Sequence, residues 1–452
     1  MYKPYIKPVS VAKPDVRVPE PKISKLVLFV CRLFGRLYLF LFLGIARIVL
    51  RGGEHIFRAY QKALSGKSRC IVAFRHPNGG EPQLLMWFIL FKLRSMARKA
   101  RFTFCRNPHV SFVYGYEVAR WGGGMARWIM PNLGAMPVHH AKIDTAGMGQ
   151  IFRAISEGPY PLAIAPEGQV SYTTESVPRL EQGTVRIGFQ AAERINKAGK
   201  ECPVEILPVS IHFRYGKMGE WSLAKLIRKI ERYTGLENRE GKAGFTERLE
   251  KARYYILEQN EKRYGIAGKD EKSFNERIDS VIEKALGTAE QLLGIGSGRQ
   301  ETIDRIYRIR QLCWDRIIIP GKNDFKDMTP VERALADLRA GEAWHAGRHM
   351  ELVDFIWYFR VPVPLENVPL YEKIEYAQNL WDFANRTMGG AYSNRVLNVH
   401  PKRVLIQVAP KIDLSARLTE YKKNKKEAIG KAMDDLVTAF QDCIHEAAEY
   451  QI

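Results

Sequence analysis

The feature that most constrains the fold is a series of short apolar runs that end in polar turns and alternate with helical patterns. Three such runs have the length of buried strands and lie at Ile71–Phe74, within Pro161–Gly168 and at Ile206–His212. Helical patterns occur between them at Gly149–Glu157 and Val185–Lys197. This alternation predicts an α/β architecture, in which helices pack on a sheet.

Two polar residues lie just after these strands, where an open α/β sheet binds its ligands. His76 follows the first run, and Glu167 follows the second. The Asn-Gly-Gly sequence after His76 predicts a tight turn that brings His76 and Glu81 together. A carboxylate on one imidazole nitrogen fixes the tautomer and makes the other nitrogen a better base. The alternative is a loop with an incidental histidine.

Other patterns extend the sheet and its helices along the chain. Phe102–Cys105 is predicted as a strand, and residues 125–139 as a short helix, a turn and a strand. Arg403–Pro410 is predicted as a late strand, and a final helix carries apolar residues on one face from Ile429 to Ile444.

A charged, helical stretch interrupts this pattern between residues 216 and 395. Ser273 and Glu276 form a capping box there, followed by apolar residues at helical spacing that indicate a packed core. We therefore predict five segments: a disordered basic tail (1–22), an apolar, membrane-associating helix region (23–54), the first part of the α/β domain (55–215), a helical insertion (216–395) and the second part of the α/β domain, with a closing strand and a C-terminal helix (396–452).

The apolar stretch of residues 23–50 is interrupted by Arg32, Arg36 and Arg47. Its longest run without charge, Leu37–Ala46, is shorter than the roughly 20 residues that a membrane-spanning helix needs. Arg32 and Arg36 lie one turn apart and share a helix face. These features predict a helix in the membrane interface with its arginines at headgroup level. A helix buried in a soluble core is the alternative.

The chain is basic, with a formal net charge of +21, and most of the excess falls in the first 120 residues. A basic end suits an anionic partner, such as a lipid surface, a phosphorylated substrate or a nucleic acid. The six cysteines are scattered and form no Cys-x-x-Cys pair. They predict neither a disulfide framework nor a metal site, and they favour a reducing, cytosol-facing location. The N-terminus shows no cleavable signal pattern.

Four short blocks occur in order along the chain. The first is His76-Pro-Asn-Gly-Gly-Glu81, and the second is Gly134-Ala-Met-Pro-Val-His-His140. The third is Pro166-Glu-Gly-Gln-Val-Ser171, and the fourth is the strand Leu207-Pro-Val209. Together they resemble the signatures of the PlsC-like glycerolipid (lysophosphatidic acid) acyltransferase family. The first block has glutamate where the family has aspartate, His140 holds an arginine position, and the third block lacks the threonine and arginine.

The resemblance implies a glycerol-3-phosphate acyltransferase-like α/β sheet with flanking helices. It implies transfer of an acyl group from acyl-CoA or acyl carrier protein to a hydroxyl group of a lysophospholipid or related acceptor. His76 is then the general base and Glu81 orients it. The geometry expected of the turn makes the backbone N–H groups of residues 78–80 candidates to help hold the oxyanion. The implied substrate-binding residues are Glu167, Gly168, Gly79, Gly80, His140 and Pro208. The candidate cations for an acceptor phosphate are Arg75, Arg179 and Arg186.

The same resemblance implies no cofactor beyond the thioester co-substrate and no metal. The expected partners are membrane lipids and the acyl donor, at the cytoplasmic face of a membrane. A catalytically degenerate protein that binds lipid without turnover is the alternative. A nucleic-acid binder is a third class, but the sequence contains none of its recognisable motifs.

Overall fold

The computed structural model describes residues 11–15, 19–139, 144–216, 218–236, 244–267, 272–296, 301–319, 321–322, 324–357, 359, 365–389 and 401–450. The chain divides into two compact units. A sheet unit contains Val18–Gly216 and Pro401–Ile452, and a helical unit contains Met1–Arg17 and Lys217–His400. Two separate segments of the chain therefore build the sheet unit.

The first half of the chain contains β1 (Lys13–Pro14), α1 (Lys25–Leu41), β2 (Ile45–Arg51), α2 (Gly53–Leu64), β3 (Arg69–Phe74), α3 (Glu81–Trp87), a π-helical turn (Phe88–Lys92), α4 (Leu93–Lys99), β4 (Ser111–Gly115), α5 (Glu117–Trp121), α6 (Gly123–Asn132), β5 (Met136–Val138), α7 (Thr145–Ser156), β6 (Leu162–Ile164), α8 (Gly183–Lys197) and β7 (Val204–Tyr215). The remainder contains α9 (Gly219–Thr234), α10 (Phe245–Tyr264), α11 (Phe274–Leu292), α12 (Thr302–Ile317), β8 (Ile318–Ile319), α13 (Pro330–Trp357), α14 (Leu370–Thr387), β9 (Lys402–Val408), β10 (Ile412–Asp413), a 3-10 turn (Ser415–Arg417), α15 (Leu418–Lys423) and α16 (Lys425–Ala448).

An eight-stranded sheet forms the centre of the sheet unit. Seven strands run in the order β2-β9-β7-β3-β6-β4-β5, and β10 pairs with β7 outside this path. The pairs are parallel, except that β9 and β10 run antiparallel to β7. The prediction of an α/β protein is confirmed at this level, as a mixed α/β fold with a mostly parallel central sheet and flanking helices.

The side chains of β3 alternate between two apolar layers, one on each face of the sheet. Val72 and Phe74 pack in the layer that includes α2 and α3. Ile71 and Ala73 pack in the layer that includes α8 and α16. Because both faces of this strand are covered, its sequence is an unbroken apolar run rather than an alternating one.

The apolar stretch near the N-terminus divides into a helix and a strand, where the sequence predicted a single helix region. α1 ends at Leu41, and Gly44 adopts a φ of 65°, in the left-handed region that favours glycine. Ile45–Arg51 then forms β2, which pairs with β9 at the edge of the sheet. In the described part of the chain, no helix is both long enough and apolar enough to cross a bilayer.

The predicted strand at Phe102–Cys105 is wrong, because these residues form no regular element and the strand of this region is β4. The rings of Phe102 and Phe104 instead contact Phe57 of α2, with ring centroids 5.6 and 5.5 Å apart. Their alternation therefore reflects the packing of an irregular segment on a helix, not a hydrogen-bonded ladder.

The helical unit consists mainly of α9 to α14. Ser273 caps α11 through the reciprocal bonds with Glu276 that the sequence predicted. The structure differs from the prediction at residues 11–15 of the tail, since β1 pairs with β8 and the N–H of Ala12 donates to Asp337 at 2.8 Å. Residues 1–10 and 16–18 lie outside the described residues.

Candidate active site

The turn after β3 brings His76 and Glu81 together. Glu81 is the first residue of α3, and Pro82 follows it in the first turn, where a missing N–H costs nothing. The Nδ1 atom of His76 lies 2.7 Å from Oε2 of Glu81. The carboxylate is fully buried, whereas the imidazole is 18% exposed. A buried carboxylate thus holds one nitrogen of a histidine that solvent can still reach.

The carboxylate of Glu81 also binds the backbone of the turn. The N–H groups of Asn78 and Gly79 each donate to it at 2.8 Å. Gly79 has a φ of 97°, a conformation that side chains disfavour. Because these two N–H groups already bond to Glu81, they serve to orient it, and the expectation that they hold an oxyanion is not supported by this arrangement.

Glu167 lies in the turn after β6, and its buried carboxylate holds the backbone of His76. Its Oε1 accepts a hydrogen bond from Nε of Arg75 at 2.5 Å, and its Oε2 accepts one from the N–H of His76 at 2.9 Å. The N–H of Ser171 donates to the carbonyl of His76 at 3.0 Å. Both backbone polar groups of His76 are therefore bound by the turn that follows β6.

Arg75 is fully buried beside the Glu167 carboxylate, and its guanidinium serves the protein itself. It donates to the carbonyl groups of Thr173, Thr174 and Ser176 at 3.2 Å or less. The structure therefore assigns this guanidinium to the loop at residues 173–176, and the expectation that Arg75 binds an acceptor phosphate is wrong.

The same loop is attached to β7 through Glu175. Its carboxylate accepts a hydrogen bond from Arg214 at 2.6 Å and lies 3.3 Å from Nδ1 of His212. Burial lowers the pKa of His212. Burial alone raises the pKa of Glu175, but the hydrogen bonds and charges of His212 and Arg214 outweigh it and lower that pKa below its usual value. The loop thus carries an ionised carboxylate that ties it to the sheet.

Lys402 is a further residue at this site, and sequence reasoning missed it. It begins β9, is buried, and its Nζ lies 3.4 Å from Oδ1 of Asn78 and 5.4 Å from the ring centre of Phe213. The contact joins the turn at residues 76–81 to β9. Because 324 positions separate Lys402 from Asn78, no local pattern in the sequence indicates it.

The remaining predicted residues lie in different places. Gly168 follows Glu167 with a φ of 71°, and a Cβ atom on Gly80 would lie 3.1 Å from the side chain of Leu43. Pro208 is buried within β7 beside Ala73, inside the sheet rather than at its carboxyl edge. Arg186 hydrogen-bonds Gln182. His140 lies outside the described residues.

The described residues contain no group of three or more His, Cys, Asp or Glu side chains that could hold a metal ion. A scan of the sequence against protein-family models finds no match, and a search of curated proteins finds no relative.

Proposed function

We propose that the protein is an acyltransferase that moves a fatty acyl group from acyl-CoA or acyl carrier protein to a hydroxyl group of a lysophospholipid or related acceptor. The observation that carries this proposal is the contact of 2.7 Å between His76 and Glu81 at the carboxyl edge of the sheet. It combines a fixed base with a solvent-accessible ring. These are the requirements of general-base catalysis on a substrate that enters from outside.

The reaction then proceeds through the second imidazole nitrogen. Nε2 of His76 takes the proton from the acceptor hydroxyl while the hydroxyl oxygen attacks the carbonyl carbon of the thioester. The tetrahedral intermediate collapses, the carbon–sulfur bond breaks, and the imidazolium returns the proton to the departing thiolate. Glu81 stabilises the imidazolium and keeps Nδ1 protonated, as the aspartate of a catalytic triad does.

Replacement of Glu81 by glutamine tests this role. The Glu81 carboxylate accepts three hydrogen bonds, from Nδ1 of His76 and from the N–H groups of Asn78 and Gly79. In glutamine one of the two oxygens becomes an NH₂ donor, so the variant disturbs either the turn or the imidazole tautomer. We expect the Glu81→Gln variant to lose about 10³- to 10⁴-fold in kcat. Glu81→Asp shortens the side chain by one methylene group and should retain intermediate activity.

Initial rates of acyl transfer measure both effects. The matched control is Glu54→Gln, because Glu54 is an exposed carboxylate 3.6 Å from the surface residue His55. Full activity in Glu81→Gln would remove the proposed role of Glu81.

The proposal places the protein on a membrane surface through α1. This helix leaves many apolar side chains exposed and buries few. The exposed apolar residues are Leu26, Phe29, Val30, Leu33, Phe34, Leu37, Tyr38, Phe40 and Leu41. An exposed apolar face of this length is unusual for a surface that meets only water, and it suits a helix that lies in the membrane interface.

α1 packs directly against the catalytic segment. A Cβ atom on Gly35 would lie 2.8 Å from the indole of Trp87 in α3, the helix that begins at Glu81. A Cβ atom on Gly80, in the proposed catalytic turn at residues 76–81, would lie 3.1 Å from Leu43, just beyond α1. Arg36 binds the start of β2 by donating to two carbonyl groups at 2.7 Å. Lipid held by α1 would thus lie next to the catalytic turn.

Charges on the apolar face of α1 test this part of the proposal. We expect the Phe29→Glu/Leu33→Glu double variant to bind vesicles at least about a hundredfold more weakly, because a carboxylate resists transfer from water. Vesicle co-sedimentation measures binding. The control is Leu338→Glu, at an exposed leucine of α13. Equal binding by both variants would contradict the proposed orientation.

The substrates are found by a donor and acceptor screen. Purified protein is incubated with acyl-CoA or acyl carrier protein and with a panel of lysolipids in mixed vesicles, and new acylated lipid is detected by mass spectrometry. The proposal expects an ester product that requires both substrates. Vesicle binding without any product would instead favour a lipid-binding protein that has lost turnover.

A further inference from the structure

A second exposed apolar patch lies on α6. Met125 is 81% exposed and Trp128 is 60% exposed. They are three residues apart, so they occupy the same face of the helix. Large side chains of these two types rarely remain together in water without a partner, and tryptophan prefers the boundary between hydrocarbon and water.

The end of α6 is bound to the start of α1. The N–H groups of Lys22 and Ser24 donate to the carbonyl groups of Pro131 and Asn132 at 2.8 and 2.9 Å. Ile23 forms a bridge with Leu133 between these two bonds. The patch on α6 is therefore attached through backbone contacts to the helix proposed to lie on the membrane.

The topology places the start of α6 and the end of α1 near the edge of the sheet that carries the proposed catalytic turn. α6 belongs to the crossover from the carboxyl end of β4 to its parallel neighbour β5, and Met125 and Trp128 lie in its first two turns. α1 ends just before β2, whose first residue, Ile45, pairs with Lys402. Lys402 in turn contacts the catalytic turn.

Basic residues close in sequence to the two apolar faces indicate which partner fits. Lys22 and Lys25 are exposed at the start of α1, and Arg127 lies between Met125 and Trp128 in the sequence. Cations beside exposed apolar groups match a bilayer with anionic headgroups, where each basic residue near the surface contributes roughly 1 kcal/mol.

We propose that Met125 and Trp128 form a second membrane contact, which inserts into an anionic bilayer together with α1. This inference rests on the membrane association in the proposed function. One helix in the interface leaves the protein free to rotate about the helix axis, whereas a second contact removes that freedom. Two contacts therefore hold the catalytic edge of the sheet at a fixed height above the lipid.

The test uses vesicles of phosphatidylcholine with about one-third phosphatidylglycerol and the full-length protein. We expect Met125→Ala/Trp128→Ala to raise the lipid concentration for half-maximal binding at least about tenfold. The matched control is Trp221→Ala, at a tryptophan of α9 that is 55% exposed, and it should bind like the wild type. Circular dichroism checks that both variants are folded.

A second readout reports on Trp128 itself. The difference in emission between wild type and Trp128→Phe isolates its fluorescence, which should shift to the blue on vesicles and be quenched by brominated lipid. Suppose that the wild type and Trp221→Ala both bind vesicles. If Trp128 is then not quenched and the Met125→Ala/Trp128→Ala variant binds as the wild type does, the proposed second contact is wrong, while the proposed role of α1 is unaffected. If the wild type does not bind vesicles, membrane association itself fails.

Discussion

Replacing His76 with alanine should reduce acyl transfer by at least about a thousandfold. General-base catalysis contributes about 10²- to 10⁴-fold, and loss of the base of a catalytic unit falls at the upper end of that range. The side chain of His76 is partly exposed and its backbone bonds remain in the variant. The loss should therefore appear in kcat rather than in folding or in vesicle binding.

The control for this variant is His55→Ala. His55 also lies beside a carboxylate, but it is at the surface of α2 and away from the carboxyl end of β3. We expect this variant to keep full activity. Equal rates in both variants would show that His76 is not the base.

Replacing Arg75 with alanine should destabilise the sheet unit by about 3–5 kcal/mol, because it leaves the buried carboxylate of Glu167 without its partner. The carbonyl groups of residues 173–176 lose their donor as well. Glu167→Ala should cost a similar amount, since it leaves a buried guanidinium. Activity should fall in both variants, because the backbone of His76 depends on the same carboxylate.

A double-mutant cycle measures the interaction energy between Arg75 and Glu167 separately from their contacts with other residues. If the two side chains stabilise each other, the double alanine variant should cost clearly less than the sum of the single variants. Urea unfolding, followed by circular dichroism, measures the free energy. Lys431→Ala breaks the surface ion pairs with Glu420 and Glu427 and provides the control, with a change of no more than about 1 kcal/mol expected. Additive effects of the two substitutions would show that Arg75 and Glu167 do not stabilise each other.

The parts of the fold that follow a local pattern could be predicted from the sequence. β3, β6 and β7 are buried on both faces, so their apolar runs and the turns after them were recognisable. The approach of His76 to Glu81 was predictable because only four residues separate them, and two of these are glycines. Its 2.7 Å contact is the part of the candidate site that local sequence determines most directly.

The long-range partners of the site could not be predicted. Arg75 lies 92 positions before Glu167, and Lys402 follows Asn78 by 324 positions. The two residues of each pair come together only when the sheet has formed. The strand Ile45–Arg51 was missed because it follows the apolar helix α1 within one apolar stretch. The change from a helical to a strand-like spacing of apolar residues was therefore not visible in the sequence.

In the proposed reaction, His76 takes the proton of a hydroxyl group as the hydroxyl oxygen attacks a thioester. The most direct measurement is the release of free thiol from acyl-CoA or acyl carrier protein on vesicles, with and without acceptor, for the wild type and His76→Ala. We expect thiol release that requires the acceptor, equals the amount of ester formed and is lost in His76→Ala. Acceptor-dependent release at the same rate in His76→Ala would show that His76 is not the base.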